Sequence, residues 1–228
     1  FVYLGAASAL GGAFFLLNYN DDRRATLVRV LSLHLAGALL GLQAVAAAFL
    51  AQVGTASGSG LSGAFDRDMA GLLLSTQLGD LSLFRAVGFA IWIGSGLFFY
   101  QTMVQHTRAP RRLFYQRLFA VNVCGFILLL LSFRFGGHVS VQSLSVQFAL
   151  AVHFTMCALW IGSLYPLLTI SRTEQVAELK VSLERFSKHA VVIVSLLLLS
   201  GLALMLSLIH SAAELFTTVY GMALMLKI

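Results

Sequence analysis

His153, Met156, Cys157 and Trp160 stand at i, i+3, i+4 and i+7, so a helix through them carries an imidazole, a thioether, a thiol and an indole on one face. Imidazole together with soft sulfur favours Cu(I), whereas carboxylates and carbonyls favour magnesium or calcium. The surrounding stretch, FALAVHFTMCALWIG, is otherwise apolar. An ionisable side chain inside a membrane span is costly, usually faces the bundle interior, and by default marks a functional site. The competing reading is a histidine that bonds a neighbouring helix, because single polar residues also hold membrane helices together. Both readings stay open on the residues alone. Upstream, Gly137 and His138 sit in a short loop that leads into this helix and put a second imidazole at its mouth.

The elements that position these groups are membrane spans. Of 228 residues 59% are hydrophobic and 11% charged, with a mean hydropathy of +0.89; a soluble domain averages roughly 25% charged residues. The net charge of +6 would suggest nucleic acid in a soluble protein, but here the basic residues fall between apolar runs and read as topology determinants, so no nucleic-acid partner is expected. Segments near 1–17, 27–53, 81–104, 113–133, 144–170 and 186–209 approach or meet the ~20 apolar residues a spanning helix needs, and a seventh begins near 220. The expected fold is all-α: a polytopic transmembrane helical bundle. Phe1 and Ile228 both fall inside apolar runs, so both ends are expected to be cut or processed, and no signal peptide can be assigned.

Charge orients the bundle. Arg23, Arg24, Arg108, Arg111, Arg112, Arg172, Lys180 and Arg185 lie in the connections 18–26, 105–112 and 171–185, with Arg29, Arg117 and Lys188 at the adjoining helix ends. Only Arg67, Arg85, Arg134 and Lys227 belong elsewhere. The positive-inside rule makes the first three connections cytoplasmic and puts His138 outside. On the outer side, GTASGSGLSG (54–63) reads as a flexible loop. The FDRDMAGLLL that follows shows helical spacing of Phe65, Met69, Leu72 and Leu73 behind charges, which suggests a short helix lying in the interface before the third span.

A spacing recurs. Thr76, Gly79 and Arg85 are separated as Thr218, Gly221 and Lys227 are, and Gly12 of the first span answers Gly162 of the fifth. We read this as two parallel four-helix repeats, residues 1–133 and 134–228, together one membrane domain whose second repeat lacks its last helix. Seven helices of an expected eight are then visible. Gly79 and Gly221 are expected where the backbone turns from an interfacial segment into a span. Arg85 and Lys227 read equally as interface anchors or as functional cations.

The six histidines separate by depth: His138, His153 and His210 outer, His34, His106 and His189 inner. His153 lies about 14 Å along its helix from Leu144, Met156 and Cys157 about 18–20 Å, and Cys124 about 14 Å below the outer end of its own span. These groups are expected to share one level near the midplane. Cys124 and Cys157 show no disulfide or C-x-x-C pattern and read as free thiols. No G-x-S-x-G, Walker loop or H-E-x-x-H occurs, so hydrolysis, nucleotide-driven pumping and zinc proteolysis have no visible support and no catalytic residue is assigned. The rival from another class is a haem-b redox protein with His34 and His189 as the obvious axial pair. A third reading is an accessory subunit of a membrane complex, its histidines serving only to join helices.

Four stretches carry a family resemblance: Gly137-His138 with the His153 helix ending in Trp160-Ile161-Gly162; Arg185-Phe186-Ser187; Ser200-Gly201; and Thr218-Val219-Tyr220-Gly221 leading to Lys227. STQLGDLSLFR (75–85) is a weaker copy of the last. As a set, over most of residues 65–228, the chain resembles the CopD family of copper resistance proteins. The resemblance implies an eight-helix bundle in the bacterial inner membrane that moves copper between periplasm and cytoplasm, often alongside a periplasmic copper-binding protein. It also implies His138 and His153 as copper ligands; on the residues themselves, Met156 or Cys157 is expected as the next handover point. Ser163 stands where the family usually has a second glycine. The style of fold is also similar to membrane haem proteins, including the HemJ type of protoporphyrinogen oxidase.

Overall fold

The computed structural model describes residues 1–19, 24–105, 110–136, 142–173 and 175–208. They form seven α-helices and two short 3-10 turns: α1 (Val2–Tyr19), α2 (Arg24–Ala56), α3 (Arg67–Leu74), α4 (Gln77–Gln105), α5 (Arg112–Ser132), α6 (Leu144–Thr173) and α7 (Val176–Leu208). No strand occurs among the described residues. All helices but α3 are long and apolar enough to cross a membrane, so the chain is an all-α, multi-pass membrane protein. The expected seventh span from about 220, and with it Thr218, Gly221 and Lys227, lies outside the described residues.

α1 is the axle of the bundle. Its spanning window is 67% buried, against 11–33% for the other five spans, and it packs on α2, α5, α6 and α7. Its sequence explains this position. GAASALGGA (5–13) offers only small side chains over most of its length, and small residues let membrane helices approach backbone to backbone. A Cβ on Gly11 would stand 2.6 Å from Gly162 Cα on α6, and one on Gly5 would stand 2.9 Å from Phe89 on α4 while striking Gly37 on α2. The glycine of Trp160-Ile161-Gly162 is therefore a contact point with α1. It meets Gly11 there, while Gly12, its expected counterpart in the repeat, faces Val30 of α2.

Two connections differ from expectation. Residues 171–185 are almost wholly helical, since α6 continues to Thr173 and α7 starts at Val176. The charges there sit on a solvated helical overhang: Lys180 and Glu184, 76% and 64% exposed, pair at i,i+4 across 3.9 Å. At 33 residues α7 is about 50 Å long, well beyond a ~30 Å hydrocarbon core. The glycine-rich connection is likewise shorter than expected. α2 runs on to Ala56, Gly58 and Gly60 supply the positive φ values of 71° and 58°, and a 3-10 turn over Ser62–Phe65 follows.

The short helix before the third span is present as α3. Asp66 caps it by accepting from Met69 N at 3.0 Å, and none of its residues is buried. Leu72 and Leu74, each 60% exposed, lie open with Phe65 before them, as a helix resting on a bilayer surface requires. The chain breaks at Ser75-Thr76 rather than running unbroken through 69–104. Thr76 Oγ1 donates to Leu73 O (2.7 Å) and accepts from Leu78 N (3.3 Å), closing α3 and capping α4 with one hydroxyl. Gly79 sits one turn later, where a Cβ would stand 2.6 Å from the Leu74 carbonyl carbon. Only glycine admits this close return of α3 over the first turn of α4.

Candidate functional site

His153 projects from α6 toward α7. Its Nδ1 lies 3.2 Å from Leu197 O and 3.3 Å from Ser200 Oγ. The Ser200 hydroxyl lies 2.6 Å from Leu196 O and 3.1 Å from Leu197 O, so its own proton points at the helix backbone. A carbonyl accepts only, which puts the imidazole proton on Nδ1 and leaves a lone pair on Nε2. No partner engages Nε2 among the described residues. This is the arrangement found behind metal-bound histidines, where the far ring nitrogen donates to a carbonyl and fixes tautomer and orientation. Gly201 makes room for the ring: a Cβ there would lie 3.1 Å from His153 Cε1. Ser200-Gly201 and His153, which carry the family resemblance separately in sequence, are thus one contact in space.

Met156 and Cys157 follow one turn further along α6, both partly exposed. At i+3 and i+4 they share the His153 face. Trp160 continues that face and stacks on Phe186 of α7 with centroids 6.0 Å apart. Cys124 does not join them. It is exposed, while Asn122, Gly125, Phe126 and Leu129 carry the buried face of α5. His138 lies outside the described residues, as do His106 and His210. Among the described residues no three His, Cys, Asp or Glu side chains gather closely enough to hold a metal ion. What α6 offers is one oriented imidazole with soft sulfur donors beside it.

The other two described histidines have different neighbours. His34, 2% exposed, donates from Nε2 to Trp92 O of α4 at 2.8 Å, and Ser95 Oγ donates to the same carbonyl at 3.0 Å. The nitrogen that donates there has no lone pair to offer iron. His189 Nδ1 lies 2.5 Å from the hydroxyl of Tyr19 on α1, with Phe14 edge-on at 5.7 Å. One ring faces α4 and the other faces α1, and no partner is common to both.

Sequence reasoning overlooked two groups. Tyr19, 1% exposed, meets His189 as Phe14 does and itself packs on Phe14, Phe15 and Phe186; its only signal was a tyrosine at the end of the first span. Asn122 is fully buried. Its Nδ2 donates to Leu118 O and its backbone oxygen accepts from Trp92 Nε1 at 3.1 Å, but Oδ1 has no partner among the described residues. An asparagine alone in LFAVNVCGF was the available clue. No family model, curated protein or solved structure matches the chain.

Proposed function

We propose that this protein is a bacterial inner-membrane copper transport protein of the CopD type, with copper ions as its cargo. The observation that supports the reading best is the His153 imidazole, set inside a span, steered through Nδ1 by Leu197 O and Ser200 Oγ, with Nε2 unengaged among the described residues. Met156 and Cys157 on the same face supply the soft donors that favour Cu(I) over hard cations. Cargo must be accepted and released, and sites of two or three ligands in series suit that better than a closed cage. In this reading His138 is the outer capture ligand, a periplasmic copper-binding protein is the natural donor, and the arginine-rich end of the bundle faces the cytoplasm.

The test pairs binding with colour. Purified protein should bind Cu(I) in competition with a chromophoric chelator, and His153→Ala should lose that binding while remaining folded; cells carrying the variant should lose copper-dependent uptake or sensitivity. A Soret band in the pure protein would replace this reading with the haem one. Colourless protein that ignores Cu(I) would leave the accessory-subunit reading.

A further inference from the structure

We propose that a cavity at the α3 end of the bundle, around Arg85, binds the acidic headgroup of a membrane phospholipid, independently of the His153 site. The cavity holds about 570 Å³ and lies between α1, α2, α4 and α6. Arg85, Gln52, Ser82 and Tyr3 supply its polar lining, and no carboxylate among the described residues contributes to it. Arg85 stands eight residues into α4 from Gln77, about 12 Å along the helix, from where its long side chain can reach headgroup level.

The guanidinium is fixed on one edge only. Arg85 Nε donates to Ser132 Oγ at 3.1 Å, and the Ser132 hydroxyl, fully buried, itself donates to Leu129 O at 2.6 Å. The serine is thus committed as an acceptor and holds the arginine against α5. Neither terminal nitrogen has a hydrogen-bond or ion-pair partner among the described residues. Two parallel N–H groups beside a cavity without an acid match the geometry of a carboxylate or phosphate oxygen pair. Gln52 and Ser82 add neutral donors nearby.

The remaining walls select the carrier of that oxyanion. Tyr3, Phe133 and Phe154 form a contiguous aromatic side, with Tyr3–Phe154 centroids at 5.1 Å and Phe133–Phe154 at 5.4 Å. Val45, Phe49 and Leu150 complete it. A free phosphate gains nothing from such walls, whereas an acyl chain does. A cation with two unpaired donor groups beside an apolar slot fits an acidic head on a hydrocarbon tail. The Thr76–Gly79–Arg85 spacing then has three distinct tasks: a cap, a close backbone approach and a ligand-facing cation.

The experiment uses the full chain, delipidated in neutral detergent, with Tm as readout. Phosphatidylglycerol should raise Tm saturably, and inorganic phosphate at equal concentration should not. Arg85→Gln should weaken the half-maximal phosphatidylglycerol concentration by about 10-fold or more, the scale of a lost charge-assisted pair, and Arg85→Lys should fall between. Ala48→Trp, which fills the slot without touching the cation, should also lose the response, so the test survives if Arg85→Gln proves unstable. An undiminished response in both Arg85→Gln and Ala48→Trp would overturn the proposal. Inorganic phosphate reproducing the shift would overturn the lipid and leave a free-oxyanion site.

Discussion

Gly11 of α1 and Gly162 of α6 meet backbone to backbone: a Cβ on Gly162 would stand 2.8 Å from Gly11 Cα and strike the Ala7 carbonyl. Neither obstacle is the end of a flexible side chain, so a methyl there must push the helices apart. Gly162→Ala should lower stability by about 1–3 kcal/mol, the usual scale of overpacking. Gly94 is the control, being exposed and open to at least 4 Å around the place a methyl would take, and Gly94→Ala should be neutral or slightly stabilising. Thermal unfolding in one detergent decides between them, and equal losses at both sites would contradict the central place of α1.

Thr76 performs two jobs with one hydroxyl, donating to Leu73 O and accepting from Leu78 N. Thr76→Val keeps shape and removes both bonds, and should cost about 0.5–2 kcal/mol, as loss of a helix cap does. Thr76→Ser should keep most of the stability. If valine were tolerated as well as serine, the break between α3 and α4 would depend on Gly79 alone.

How far such features were legible in the sequence follows from what each one depends on. The spans and the helix before Gln77 depend on hydropathy, length and a capping aspartate, all local quantities. The helical overhang at 176–185 was misjudged because charge signals solvent equally well in a loop and on a helix that outruns the bilayer. The exposure of Cys124 was not legible for another reason. α5 is apolar on every side, since lipid and bundle interior are both oily, so no periodicity shows which face is buried. The contact of His153 with Ser200 depends on how α6 and α7 sit against each other, which no local pattern encodes.

The Tyr19–His189 pair joins α1 to α7 at the arginine-rich end. Tyr19→Phe removes the hydroxyl and should cost about 0.5–1.5 kcal/mol, the net worth of a hydrogen bond. A double-mutant cycle with His189→Ala isolates the pair, and a coupling near zero would mean the two groups are merely adjacent. Cu(I) affinity should stay unchanged in Tyr19→Phe, because the pair has no contact with His153.

Orientation can be checked with two exposed positions at opposite ends of the bundle. Ser143, just before α6, and Thr173, its last residue, are 30 residues apart along a single span, about 45 Å. In intact cells an impermeant thiol reagent should label Ser143→Cys and spare Thr173→Cys, in a Cys124→Ala background that removes the exposed native thiol. The opposite pattern would invert the topology and put the arginine-rich end outside, against the charge bias.

Ser200 tests whether His153 is held as a metal ligand or merely packed. If Nδ1 is steered so that Nε2 can take Cu(I), loss of the Ser200 hydroxyl removes one of two oxygens facing Nδ1, and Leu197 O remains. Ser200→Ala should therefore weaken Cu(I) binding by about 10-fold, the low end of the range for supporting contacts behind a metal, with little change in Tm. Gly201→Val acts differently. Its side chain would crowd the ring at His153 Cε1, turning the imidazole away, and should cost more affinity than Ser200→Ala. Chelator competition gives the affinities and thermal unfolding gives the stability. A histidine present only to join α6 to α7 predicts the reverse pattern, in which Ser200→Ala lowers Tm and leaves Cu(I) affinity where it was.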